Sequence, residues 1–418
     1  MSDSKYSVKV NSEIGELEAV ILHKPGAEIK NMKPENAQRA LYSDILNFEV
    51  ANQEYAQFKA VLDKVTTTFE MQDLLKDILQ NKETKESILQ DIFQSESVFD
   101  DNDSILLLDP NELSTKLIEG VSMNKDTLSK FLLDDRFSLK PLYNFFFMRD
   151  ASMSFGEKVI IGKMANTVRD REALIMDYIF QYHPNFKANT YNPNIFESAS
   201  NIKIEGGDVL IVSEDILLIG MGTRTNSKAI DYIINELNNQ NINKHIIVQQ
   251  LPESPESFIH LDMVFTLLDK DKCMAYTPLI MGQNQYKTIY IELKDGETVK
   301  IEEQKNIPET LKKLGMDLQI LSCGGRVDQW IQDREQWHSG ANFFAFAPGK
   351  VIGYARNSHT IEELNKNGFE VLPAIDVASG KLDVNQYKNC VVTIDGSELA
   401  RGGGGARCMT MPVRRKSL

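Results

Sequence analysis

DVLIVSEDILLIGMGTRTNSKAIDYIINELNNQ (208–240) reads as two short strands around a Glu-Asp turn, followed by an amphipathic helix. The same ββα pattern appears in FFFMRDASMSFGEKVIIGKM (145–164), followed by the helical TVRDREALIMDYIFQYH (167–183). DMVFTLLDKDKCMAYT (262–277) again reads strand, turn, strand. NFFAFAPGKVIGYARN (342–357) repeats it around Pro348-Gly349, ahead of the helical SHTIEELNKNG (358–368). A fifth unit can be assembled from the two chain ends, LEAVILHKPG (17–26) and the terminal RCMTMPV (407–413). Recurrence at irregular spacing points to a radial α/β architecture rather than a doubly wound sheet. No GxGxxG follows a strand, which argues against a dinucleotide-binding fold.

Between the first strand and Leu139 the texture changes. The stretch 47–80 places Phe48, Ala51, Tyr55, Phe58 and Leu62 at helical spacing, and 111–121 and 125–135 read as shorter helices. Residues 31–139 are therefore expected to form an inserted α-helical domain. Residues 1–30 and 140–418 are expected to form the α/β body.

The chain has 418 residues with a net charge of −14, which argues against nucleic acid as a partner. Its four cysteines have no CxxC spacing, no signal peptide opens the chain, and no apolar run is long enough to span a membrane. The expectation is a cytoplasmic protein with reduced thiols.

Charged residues cluster where strand ends would bring them to one rim. These are Arg149 and Asp150 in MRD (148–150), Glu205 and Asp208 around Gly206-Gly207, and His260 and Asp262 in FIHLDMVF (258–265). His260 and Asp262 alternate and so would share one face of a strand. Cys408, expected on the final strand, follows four glycines in SELARGGGGARCMTMPVRR (397–415). Arg401 and Arg407 are near it in sequence and offer a route to a lowered thiol pKa. Each residue has a plain alternative: a local ion pair, a bulge, a surface carboxylate or an incidental thiol. His-x-Asp could also be two of three metal ligands, but no third partner is evident.

Together the residues suit one chemistry. Two carboxylates grip a planar guanidinium through paired hydrogen bonds. A thiolate attacks its central carbon, and a histidine protonates the departing amine and later activates water. A glutamate on that histidine orients it and favours its protonated form. No metal or organic cofactor is needed.

The chain resembles the arginine deiminase family from end to end. The likeness runs through 12–29, 46–62, MRD at 148–150, IEGGDVLIV (204–212), FIHLDMVFTLLD (258–269), DREQWHSGANFFAFAPGKVIGYARN (333–357) and RCMTMP (407–412). The resemblance implies a five-bladed ββαβ propeller with an inserted helical domain. It implies that Cys408 is the nucleophile that forms an amidino-thioether, His260 the general acid and base, and Glu205 its partner. Asp150 and Asp262 would hold the guanidinium, Arg169 and Arg224 the α-carboxylate, and Asn144 and Phe147 would line the pocket. Many members have an arginine five residues before the nucleophile, in a loop that gates the site. Here that position is Gly403, and Arg401 is retained two residues earlier. MRD also stands in place of the commoner TRD.

The resemblance implies hydrolysis of L-arginine to L-citrulline and ammonia by a homo-oligomer, a dimer or tetramer. A related guanidino-modifying enzyme, either an amidinotransferase or a deiminase of a modified arginine, is the closest alternative. A binder of guanidino compounds that kept the fold without the chemistry is a further one. Cys273 and Cys323 are expected to be buried structural thiols.

Overall fold

The computed structural model describes residues 6–34, 42, 44–96, 105–186, 188–195, 201–326 and 328–418. The fold is mixed α/β. Five separate sheets share one motif: an antiparallel hairpin, a helix, and a further strand parallel to the second strand of the hairpin. A parallel partner cannot be reached by a tight turn, so each module needs its helix as a crossover.

In the first module Ser152–Phe155 and Lys158–Ile161 form the hairpin, and helix Asp170–Tyr182 leads to Asn189–Tyr191. In the second, Val209–Ile211 and Ile216–Met221 are followed by helix Ser227–Asn239 and Lys244–Gln250. Thr288–Lys294 and Glu297–Gln304 widen this sheet. The third pairs Phe265–Asp269 with Lys272–Ala275, then Gln319–Ser322 after helix Ile307–Lys313. The fourth pairs Phe344–Ala347 with Lys350–Tyr354 and then Cys390–Ile394, which also carries Glu370–Pro373. The fifth is indeed built from the chain ends. Met411–Arg415 runs antiparallel to Leu17–Leu22, which pairs in parallel with Thr67–Glu70 after helix Phe48–Val65.

The cores follow the sheets. One apolar cluster joins Met153 and Ile160 of the first sheet to Val209 and Ile219 of the second. Another joins Leu218 of the second to Phe265 of the third and Val351 of the fourth. A third links Ile352 of the fourth to Val20 of the fifth, and the last links Ile21 of the fifth to Val159 of the first.

Two segments depart from the sequence reading. FFFMRD, read as part of a strand, is a series of turns in which Phe147 N–H donates to Asn144 O at 2.9 Å. Its unbroken apolar run arises because Phe145 and Phe146 enter different cores. Thr67–Glu70, inside the stretch expected to be helical, is a strand of the fifth sheet. The remaining described elements of that stretch include helices Met71–Ile78, Lys82–Glu96, Pro110–Glu119 and Leu128–Leu132.

Candidate active site

Loops from four modules meet over one cavity of about 280 Å³. Backbone hydrogen bonds hold the loops together. Arg149 N–H donates to Cys408 O at 3.0 Å, and Gly206 N–H to Asp150 O at 3.2 Å. Gly207 N–H donates to the Asp150 carboxylate at 3.2 Å. The paired glycines are demanded by this proximity. A Cβ on Gly206 would lie 1.9 Å from Arg149 O, and one on Gly207 would lie 2.4 Å from His260 Nδ1.

Asn144, Phe147, Asp150, Arg169, Arg224, His260, Gly403 and Cys408 all line the cavity. Glu205 and Asp262, both fully buried, stand behind that lining. Glu205 Oε2 is 3.0 Å from His260 Nε2, and Asp150 Oδ1 is 3.7 Å from His260 Nδ1. Burial works against a charge on His260, but Asp150, Glu205 and Asp208 outweigh it and lift its pKa to about 9. Burial likewise opposes ionisation of Glu205, yet Arg224, His260 and Arg169 hold its carboxyl well below the usual range. His260 therefore carries its proton at neutral pH, against an ionised glutamate.

His260 and Asp262 do not lie on a strand. His260 precedes a single 3-10 turn, Leu261–Met263, and the strand begins at Phe265. Asp208 fixes that turn by accepting Leu261 N–H at 2.9 Å. The one-residue spacing reads alike in a strand and in this turn, so alternation alone could not distinguish them. Asp262 Oδ2 accepts from Arg407 Nη1 at 2.8 Å, while its Oδ1 has no hydrogen-bond partner.

Cys408 also precedes its strand, in the turn before Met411–Arg415. Its Sγ is 3.7 Å from Asp262 Oδ2 and 3.2 Å from Asn342 Nδ2. The expected lowering of its pKa is overturned. Burial, Asp262 and Asp150 push the thiol well above its ordinary value, against a backbone hydrogen bond from Gly405 and, after it, the charge of Arg407. Arg407 turns its guanidinium toward Glu13 and Asp262, and Arg401 pairs with Asp44 and Glu398.

Arg169 is buried, with Nη1 2.8 Å from Asp150 Oδ2, and Nε and Nη2 3.0 and 2.8 Å from Glu172 Oε2. Arg224 Nη1 approaches Glu205 Oε2 at 3.3 Å. Asp150, Glu205 and His260 are the group of described residues close enough to hold one metal ion, their ligand atoms lying within 4.8 Å of one another. This differs from the His260–Asp262 pair considered from sequence. The proton on His260 and the arginines on both carboxylates already supply the positive charge this cluster needs.

The gate position is a tight turn. Leu399–Gly402 is a 3-10 turn closed by Gly403 at φ +88°. Tyr354 donates its hydroxyl to Gly404 O at 2.9 Å. Glu54, on helix Phe48–Val65, accepts the amides of Ser397, Glu398 and Leu399 at 2.6–3.2 Å. Cys273, Cys323 and Cys390 are buried free thiols away from this cavity, as expected for the first two. Sequence reasoning missed Asn342, Glu13 and Glu172. Asn342 lies inside the matched stretch 333–357, but nothing about an isolated asparagine marks it.

Chemically, carboxylates surround the thiol and the histidine proton, and two arginines share the same chamber. The carboxylates suit a delocalised cation, and Arg169 and Arg224, paired here with Asp150 and Glu205, suit an anion that draws them from those partners. A thiol within reach of the cation's carbon permits covalent attack.

The chain matches known proteins over its whole length. A family model described as arginine deiminase matches residues 38–415. The arginine deiminase of Bacillus cytotoxicus is 35% identical over 434 residues, covering 99% of this chain and 100% of the relative. That of Treponema denticola is 32% identical, covering 98% and 99%. Among solved structures, the substrate-bound mutant N-terminal domain of ArgZ, an arginine dihydrolase of cyanobacteria, is similar in fold. It has a TM-score of 0.53 at 13% identity and covers 96% of this chain and 99% of that one. SxtG, an amidinotransferase from Microseira wollei, has a TM-score of 0.50 at 15% identity, covering 99% and 98%.

Proposed function

The chain belongs to the arginine deiminase family, and on that premise we propose that it hydrolyses L-arginine to L-citrulline and ammonia through Cys408. The observation that carries the reading is that Cys408, His260 and Asp150 line one cavity, with Glu205 against His260 and Asp262 against Cys408 directly behind them.

The substrate guanidinium binds between Asp150 and Asp262, whose Oδ1 is unpaired, and the α-carboxylate binds Arg169 and Arg224. Asn144 and Phe147 shape the walls. The arriving cation offsets the carboxylates that oppose ionisation, so the thiol of Cys408 ionises with substrate in place and its proton passes to solvent. Sγ then forms a bond to the guanidinium carbon. His260 gives its proton to the departing nitrogen, the C–N bond breaks, and ammonia leaves an amidino-thioether. Neutral His260 next takes a proton from water as the hydroxide adds to the same carbon. The C–S bond breaks, the hydroxyl proton passes to the departing sulfur to restore the thiol, and neutral citrulline forms. The bound guanidinium, the first adduct once its leaving nitrogen is protonated, and the amidino-thioether are cationic, and the buried carboxylates stabilise that charge.

We read the five hairpin–helix–strand sheets as the blades of a five-bladed propeller. The succession of shared cores from the first sheet to the fifth and back supports this. Residues 1–30 and 140–418 would form it, with 31–139 as an insert that lends one strand to the fifth blade. No helix of the described residues is long and apolar enough to cross a membrane. Four free cysteines suit a reducing cytoplasm. A homo-oligomer is the expected assembly, which light scattering of the purified protein tests.

The functional test is to incubate the protein with L-arginine and with agmatine side by side and assay citrulline, ammonia and the agmatine product. Turnover of L-arginine alone supports the reading. Product that forms only with an added amine would assign an amidinotransferase instead.

A further inference from the structure

Asn342 is almost fully buried, just ahead of strand Phe344–Ala347, and all of its hydrogen-bonding positions are engaged. Its Oδ1 accepts the backbone N–H of Arg407 at 2.9 Å and that of Cys408 at 3.4 Å. An oxygen is required on that side, because both partners are donors. The amide nitrogen is therefore fixed on the other side. It lies 3.2 Å from Asp262 O, 3.2 Å from Cys408 Sγ and, more distantly, 3.7 Å from Met263 Sδ, so its two hydrogens are best directed at Asp262 O and the Cys408 sulfur. Gly405 allows this approach, since a Cβ there would lie 2.6 Å from the Asn342 side chain.

Within 4 Å of the sulfur, the other hydrogen-bonding side chain among the described residues is Asp262, an acceptor that favours the neutral thiol. A thiolate in this place would face two carboxylates across a buried chamber. Asn342 presents a neutral donor that strengthens when the sulfur becomes negative.

We propose that Asn342 is a catalytic residue that donates a hydrogen bond to the Cys408 thiolate while its oxygen fixes the backbone that aims the sulfur. The proposal rests on the assignment of Cys408 as nucleophile. Two substitutions separate donor from cap. Asn342→Asp keeps the oxygen that accepts from Arg407 and Cys408 but removes the donor. Asn342→Ala is neutral and removes both. Asn342→Ser, too short to reach the sulfur, replaces Asn342→Ala if the latter does not fold.

The readout is the rate of Cys408 alkylation by iodoacetamide as a function of pH, with the site mapped by mass spectrometry. Loss of the donor should shift the Cys408 titration upward by about one unit in both the acidic and the neutral variant. With L-arginine, kcat should fall about 10- to 100-fold while KM changes little. A wild-type titration in the neutral variant overturns the proposal. So does a shift confined to Asn342→Asp, which reports charge repulsion alone. Alkylation needs no turnover. A wild-type protein that makes no citrulline defeats the proposed function, yet the titration still decides the role of Asn342.

Discussion

Glu13 and Arg407, 394 residues apart, form a bidentate ion pair directly behind the candidate nucleophile, with Nε–Oε2 at 2.9 Å and Nη2–Oε1 at 3.0 Å. Arg407 also donates to Asp262 Oδ2 and to Val209 O, so one guanidinium ties the N-terminal segment, the second module and the 260–263 turn together. Glu13 remains ionised although largely buried, because Arg407, helped by Arg149 and Arg415, outweighs the desolvation and takes its pKa down to about 2. Removing Glu13 leaves the buried Arg407 guanidinium with Asp262 as its remaining carboxylate partner among the described residues. Glu13→Ala is expected to cost about 3–5 kcal/mol of stability, measured by urea unfolding. A cost below about 1 kcal/mol, the range of an exposed pair, would show that solvent reaches Arg407.

Gly207→Ala tests the geometry of His260 without altering any titratable group. The added methyl would meet His260 Nδ1 at 2.4 Å and Cγ at 2.5 Å. The imidazole must shift, disturbing its 3.0 Å contact with Glu205. A shift of this kind is expected to lower kcat about 100-fold. Thermal unfolding distinguishes this from general collapse, since the midpoint should fall only modestly. Wild-type kcat in a folded Gly207→Ala protein would remove His260 from the proton-transfer role.

Much of this organisation was legible in the sequence, for identifiable reasons. The hairpins of 208–240, 262–277 and 342–357 are apolar runs split by turn residues, and the structure keeps all of them. Asp150, Glu205, His260 and Cys408 were visible as polar residues at the ends of those runs, whereas the parts assigned to Arg169 and Arg224 came from the family resemblance. What stayed hidden depends on tertiary direction. Arg407 neighbours Cys408 in sequence yet points to Glu13, so proximity along the chain misjudged the thiol. Thr67–Glu70 is four residues between two helices, too short to outweigh their periodicity, and becomes a strand only because Leu17–Leu22 offers a free edge. Asn342 reaches Arg407, Cys408 and Asp262 through long-range contacts that no local pattern announces.

Gly403 and Gly404 are adjacent, but the same substitution should fail differently at each. Gly403 has φ +88° and open space where a methyl would sit, so Gly403→Ala meets only backbone strain. It should cost about 1–2 kcal/mol in unfolding experiments and leave KM close to wild type. Gly404→Ala has no such φ penalty but would bring its Cβ within 2.5 Å of the Phe147 ring, which lines the cavity. Its effect should appear as a raised KM for L-arginine. Equal effects of the two variants on KM would mean that the loop responds as a unit and that the Phe147 contact is not special.

His23 makes a separate claim on the pH dependence of stability. It follows strand Leu17–Leu22, and its Nδ1 lies 3.0 Å from Glu70 on the parallel strand, with Nε2 3.5 Å from Glu28. Burial disfavours its charge, but hydrogen bonds and charge from Glu28 and Glu70 prevail and raise its pKa to about 10. The unfolded chain returns it to about 6.5. Because the folded value is the higher one, its stabilisation is full below about pH 6.5 and is lost as pH rises through about 10. His23→Gln should therefore be less stable than wild type by about 3 kcal/mol at pH 6, the scale of a broken buried pair. The gap should narrow steadily toward alkaline pH as wild-type His23 loses its proton. Urea unfolding of both proteins at intervals across this range measures the gap directly. A gap that stays constant, or widens with pH, would mean that His23 is neutral in the fold and that Glu28 and Glu70 are held by something else.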